Sequence, residues 1–189
     1  MIPLNPNEKI VYQNAMIQVS NEVLSAQTCK ERIQTEDSLT LVRVYTNPSV
    51  HIFPISENKK IWLIQEYRID EDVTRWLIPG GGLESHQTPE QCAQAELQEE
   101  LGKKAESFEL FYELPYRKKV LNEHRYYFIA RGLSDSHVEN PDGNVVKDMK
   151  EFSIEELKKM TLSGAFNPSP TVFALLQLIG DVESGKVIL

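Results

Sequence analysis

Apolar and polar residues alternate through KIVYQNAMIQV (9–19) and LTLVRVY (39–45), and both segments are rich in Val, Ile, Thr and Tyr. A two-residue period puts alternate side chains on opposite faces of a pleated strand, so residues 8–46 are predicted to form strands joined by polar turns. VHIFPI (50–55) and IWLIQEYR (61–68), separated by the polar stretch SENKK, predict a hairpin in the core sheet. WLIP (76–79) predicts a short strand stopped by Pro79 and the glycines behind it. FELFYEL (108–114), RYYFIARGL (125–133) and VVKDMKEF (145–152) complete the strands, and SDSHVENPDGN (134–144) carries Asn-Pro and Asp-Gly turn signals.

The helices are marked by their ends. Thr88 suits an N-cap, Pro89 the first helical position and Gln91 the reciprocal position of a capping box, while Gly102 suits the C-terminal stop. Ser153 with Glu156 predicts a short capped helix, and Ser169 with Pro170 starts a terminal one. Strands dominate and two or three helices interrupt them, which predicts an α+β chain, an α/β/α sandwich about a mixed sheet. With 189 residues it suggests one main domain and a small appended piece. The division is placed at an N-terminal strand region over 1–45 and a principal domain over 46–189.

Charge narrows the partners. A net charge of −8 argues against a general grip on nucleic acid or an anionic membrane, both of which need clustered Lys and Arg. A polyphosphate remains open to an acidic protein when divalent cations supply the positive charge. The start, MIPLNPNEKI, has no basic and apolar leader pattern, and TVFALLQLI (171–179) is too short to span a bilayer. Cys29 and Cys92 are expected to be free thiols in a reducing compartment, the cytoplasm.

The chemistry is concentrated in GGGLESHQTPEQCAQAELQEELG (80–102). Glycines let a backbone come close to a ligand or another chain segment. Glu96, Glu99 and Glu100 lie three and four apart, so all three leave one side of the helix. Hard oxygen ligands gathered in this way suit Mg²⁺ or Mn²⁺, with water and phosphate filling the other positions. Against this stands a plainer reading, in which Glu99–Lys103 and Glu100–Lys104 are i,i+4 pairs on a solvated face.

The stretch resembles the signature of the Nudix hydrolases, G-x5-E-x7-R-E-U-x-E-E-x-G-U, where U is apolar. Gly81, Glu96, Leu97, Glu99, Glu100 and Gly102 fall in place, while Gln87, Ala95 and Lys103 depart from the expected Glu, Arg and apolar residue. LIQEYRIDEDVTRWLIPGGGLE, FYELP and EHRYYFIARGL resemble the ADP-ribose and nucleoside-diphosphate-sugar pyrophosphatase branch through Tyr67, Arg68, Trp76, Pro79, Gly81 and Pro115. The resemblance covers about residues 45–180. It implies a Nudix fold with an N-terminal antiparallel strand region, and cation-assisted hydrolysis of a diphosphate joining a nucleoside to a sugar or similar group. Glu96 and Glu100, with Glu99 and the backbone carbonyl of Gly80, would hold the metal.

The resemblance also implies a water-activating acid on a late loop, where Glu139 and Asp142 stand, with Asp142 better read as a turn. Glu99 and Glu139 are the catalytic candidates. Arg68, Gly81 and Glu123 are the substrate-binding candidates, Glu123 alternatively serving as the ion-pair partner of Arg125. Tyr112, Tyr116 and Tyr126 are expected in packing, and Arg117, Lys118 and Lys119 in a solvated loop. Loss of the signature Arg leaves Glu99 to find another cation, for which Lys103 and Arg68 are available. A small-molecule nucleoside diphosphate substrate and a homodimer joined through the N-terminal strands follow as partners. A domain that keeps the fold and binds nucleotide without turnover is the alternative, favoured by Gln87 and Ala95.

Overall fold

The computed structural model describes residues 9–13, 17–25, 27–28, 31, 38–68, 72–117, 120–136, 146–166 and 170–189. Two compact units emerge, one from residues 1–48 with 114–125, the other from 49–113 with 126–189.

In the first unit, β1 (Lys9–Gln13), β2 (Ile17–Leu24) and β3 (Leu39–Thr46) form an antiparallel run, as their alternation predicts. The β2–β3 register is unbroken from Ile17 opposite Thr46 to Leu24 opposite Leu39. One face therefore carries Ile17, Val19, Val23, Val42 and Val44, and it leaves Val23 65% and Val42 47% exposed. The other face takes Gln18, Ser20 and Glu22, all buried, with Arg43 bonded to Glu22 at 3.0 Å. β3 also pairs in parallel with β9 (Leu121–Arg131) at Val44–Leu121 and Tyr45–Asn122, which makes the sheet mixed.

In the second unit, β4 (Ser49–Pro54) pairs with β9, and β8 (Ser107–Arg117) also pairs with β9. A separate three-stranded sheet has the order β11–β5–β6, from β5 (Ile61–Arg68), β6 (Val73–Leu77) and β11 (Val146–Phe152). The hairpin predicted from 50–55 and 61–68 is thus not a ladder. Only the bridge Ile55–Ile61 joins the two segments. Pro54 has no N–H, and the Ile55 N–H goes to Ala130 O at 2.9 Å, so β4 is committed to β9 before a second rung with β5 can form. The short pair β7 (Lys103–Lys104) and β10 (Ser134–Asp135) lies outside both sheets.

Helix α1 (Pro89–Leu101) begins and ends where the sequence places it. Thr88 accepts from Gln91 N, Gln91 returns the bond to Thr88 N, and Gly102 closes the helix at φ 61°. Helix α2 (Ile154–Leu162) has the Ser153–Glu156 capping box, and α3 (Pro170–Glu183) ends the chain. β4 is covered on both faces. Val50 and Ile52 join Cys92, Ala93, Leu97 and Leu101 of α1 in one core cluster, with Ile64, Phe128 and Ala130. His51 and Phe53 turn the other way and stack with Tyr127, which neighbours Tyr112, itself 5.6 Å from Phe173 of α3. That arrangement is the helix–sheet–helix layering expected of the chain.

Candidate functional site

The glycines after β6 are laid against β4. Val50 N–H donates to Gly81 O at 2.9 Å and Ile52 N–H to Pro79 O at 2.8 Å, while Ser49 and Gly82 form a bridge. At Gly80, with φ 154°, a Cβ would collide with Val50 O and lie 2.9 Å from His51 Cα, so backbone fills the space where a side chain would begin. At Gly81 the same space holds the Glu96 carboxylate. The absence of side chains at these two positions lets α1 bring its acids onto the loop backbone.

Glu100 completes the contact, accepting a hydrogen bond from Gly80 N–H on Oε2 at 2.8 Å. It flanks the core residue Leu97 on the edge of the buried face of α1, and is only 6% exposed. Burial raises its pKa to about 8; the Gly80 bond opposes this, and the charges of Glu96, Glu66 and Glu99 add to it. A freely solvated carboxylate face is therefore not what α1 presents at Glu100. Glu96 and Glu99 are half-buried. Cys92, one turn earlier, is buried with its thiol 3.6 Å from Gly82 O. Burial, then Glu96, Glu84 and Glu99, push that thiol up to about 12.

The remaining candidates are distributed more widely. Arg68, at the end of β5, is partly exposed and sits 3.8 Å from Glu66. Glu123 lies in the first unit, where Arg125 of the same strand holds it at 2.6 Å. Lys103, offered above as a cation for Glu99, directs its ammonium to Asp135 at 3.0 Å and lies over the Trp62 ring. Glu139 and Asp142, Cys29, Lys118 and Lys119 fall outside the described residues, as do the side chains of Tyr116 and Arg117. Tyr112 is in packing as expected, and Tyr126 lies against the core cluster.

Sequence reasoning passed over Glu66. Its signal was the strand period: Trp62, Ile64 and Glu66 share one face of β5, and an acid continuing an apolar face is out of place unless it has an electrostatic task.

Glu96, Glu99 and Glu100 offer carboxylate oxygens, one group buried and two half-buried, of the type that a hard divalent cation takes. Among the described residues no three acids, histidines or cysteines enclose a metal position by themselves. One or two protein carboxylates with water and substrate phosphates make up the usual Mg²⁺ sphere.

Comparison with known proteins converges on the same segment. The model of the NUDIX domain matches residues 45–172. The methanol dehydrogenase activator of Bacillus methanolicus is 26% identical over 131 residues, 69% of this chain and 71% of the relative. A solved structure described as an ADP compounds hydrolase superposes with a TM-score of 0.73 at 17% identity, covering 96% of this chain and 94% of that one. At that identity the superposition speaks for the fold. With the family model spanning most of the chain, and the glycine loop and acidic helix inside the matched segment, the protein belongs to the Nudix family.

Proposed function

We propose that the protein is a divalent-cation-dependent pyrophosphohydrolase acting on a nucleoside diphosphate linked to a sugar or similar group. The observation that supports this most is Glu100, a buried carboxylate fixed by the Gly80 N–H and crowded by Glu96, Glu99 and Glu66. Mg²⁺ or Mn²⁺ held there by Glu96 and Glu100 would neutralise the diphosphate and lower the pKa of a bound water. The chain's own part is positional. Gly80 and Gly81 let α1 approach, Gly80 orients Glu100, and Glu99 lies one turn from Glu96 to direct water. Arg68, partly exposed at the strand end, is suited to a phosphate oxygen. The products would be a nucleoside monophosphate and a sugar phosphate.

The assembly proposed with it is a homodimer formed through the aliphatic face of the first unit, where Val23 and Val42 stand exposed beside Val19 and Val44. The proposed setting is the cytoplasm. No helix among the described residues is long and apolar enough to cross a membrane.

A nucleotide-binding role without turnover is the second reading, and Gln87 and Ala95 favour it. A screen of nucleotide sugars, dinucleotides and nucleoside triphosphates with Mg²⁺ and Mn²⁺, read as phosphate after a coupled phosphatase, separates the two. Turnover that disappears in Glu96→Gln supports the hydrolase. Binding of nucleotide with no product across the screen supports the second reading.

A further inference from the structure

We propose that a cavity just past the end of β4 is a second ligand site, one that takes a small zwitterion of the aliphatic α-amino-acid class. The cavity lies wholly in the second unit and has a volume of about 430 Å³, within the range of small-molecule sites. Ile55 and Leu133 give it an apolar floor. Val50, whose N–H holds Gly81, is five residues back from Ile55, so about 16 Å of chain separates the cavity from the glycine loop. The charges around it are of opposite sign. Arg131, at the end of β9, and Glu106, just before β8, both line it, with Glu57 at the rim. Among the described residues none of these three side chains forms an ion pair or hydrogen bond. Glu106 is seated by backbone: its N–H donates to Arg131 O at 2.9 Å, and its carboxyl lies over Gly132, where a Cβ would come within 2.5 Å of Oε2. Ser56 is 8% exposed, and its Oγ accepts from Lys60 N–H at 3.3 Å, which leaves its O–H to donate.

A guanidinium presents a planar fork that matches a carboxylate, and a carboxylate accepts from an ammonium. An ion of a single sign suits one side of this cavity and is repelled by the other: phosphate would meet Glu57 and Glu106, and a simple amine would meet Arg131. A molecule that carries both a carboxylate and an ammonium satisfies Arg131 and Glu106 together, and an aliphatic side chain on it would cover Ile55 and Leu133. The plainer reading leaves each charge to water. Arg131 is half-buried above an apolar floor and Ser56 is buried, so a ligand that displaces that water gains apolar contact as well as charge-assisted bonds.

The test is calorimetry on the full chain in chelator with leucine, leucinamide, N-acetylleucine and inorganic phosphate, with the ligand-induced rise in melting point as a second readout. Leucine is expected to bind. Leucinamide, which lacks the carboxylate, and N-acetylleucine, which lacks the ammonium, should each bind about tenfold more weakly. Arg131→Gln and Glu106→Gln should each weaken leucine by a similar factor while keeping the fold, which their melting points without ligand check. The pairing is specific: Arg131→Gln should bind leucine and leucinamide alike, and Glu106→Gln should bind leucine and N-acetylleucine alike. No binding of leucine to wild type overturns the proposal, as does a derivative or phosphate that binds as tightly as leucine. Leucine affinity unchanged in either variant overturns it too. Glu96→Gln should bind leucine as wild type does, and a loss there would place the leucine at the α1 carboxylates instead.

Discussion

Replacing Glu100 with Gln tests the central electrostatic claim without needing a substrate. The Gln side chain keeps the volume and still offers an oxygen to Gly80 N–H, so the α1–loop contact survives. What disappears is a buried group whose pKa is raised from 4.5 to about 8 in the folded chain. Each pKa unit is worth about 1.36 kcal/mol, so the metal-free protein would carry a penalty of up to about 5 kcal/mol when Glu100 is ionised. The direction follows from the raised value. Below about pH 4.5 the group is protonated in both states and has no effect. Between about pH 4.5 and 8 the unfolded chain has lost the proton while the folded chain keeps it, and stability falls as pH rises. Above about pH 8 the full penalty is present.

The assay is urea unfolding in chelator from about pH 5 to pH 9, wild type against Glu100→Gln. The variant should be the more stable at the alkaline end, by about 2–5 kcal/mol, and the difference should close towards pH 5. Glu156 and Asp181, held below the ordinary range by bonds from Ser153 and from Gln177 and Lys186, act at lower pH and cancel in the difference. Adding Mg²⁺ should flatten the wild-type dependence and leave the variant unmoved. Parallel curves for the two proteins would mean that Glu100 titrates like a solvated acid and that its burial carries no penalty.

Gly80→Ala should unfold the loop region, because its Cβ meets backbone at Val50 and His51, whereas Gly81→Ala meets only the Glu96 carboxylate and should fold yet bind Mn²⁺ more weakly; equal melting points for the two variants would contradict this. Cys92, buried with its thiol pushed up to about 12, should resist thiol reagents in the native state and react only on unfolding, as a labelling time course would record. Thr88→Ala removes a bond to Gln91 N at 3.2 Å and should cost about 1 kcal/mol by urea unfolding; no loss would mean the cap is redundant. Val23→Lys with Val42→Lys should yield a monomer by light scattering if the aliphatic face joins two chains, and an unchanged mass would place the interface elsewhere.

Helix α1 was fully legible because its ends are local chemistry: Thr88, Pro89, Gln91 and Gly102 each act within four residues of the positions they satisfy. The strands were legible through their period, but their partners were not. Alternation says which faces a strand has and is silent on which edge it meets, so 50–55 and 61–68 read as a hairpin although the Ile55 N–H belongs to Ala130. The parallel contact of β3 with β9 is equally non-local, joining Val44 to Leu121.

The candidate site divides along the same line. A helical wheel places Glu96, Glu99 and Glu100 on one side, and treats them as equals. Packing makes them unequal: Glu100 lies beside Leu97 and Leu101 and is buried, while Glu96 comes to rest over Gly81. The glycines were read as room for a ligand, and in this fold they are first room for the helix, since the space beyond Gly81 is taken by the Glu96 carboxylate itself. Glu66 is the converse case. Its place is set by elements far along the chain, since Trp62 and Ile64 on the same face of β5 pack with Leu97 and Leu101 of α1. Side chains whose task is set by local bonding can be assigned from sequence, and those whose task is set by another element's charge wait for the fold. The carboxylate site belongs to the second kind, so the substitutions that best discriminate its members are those that remove charge and keep shape.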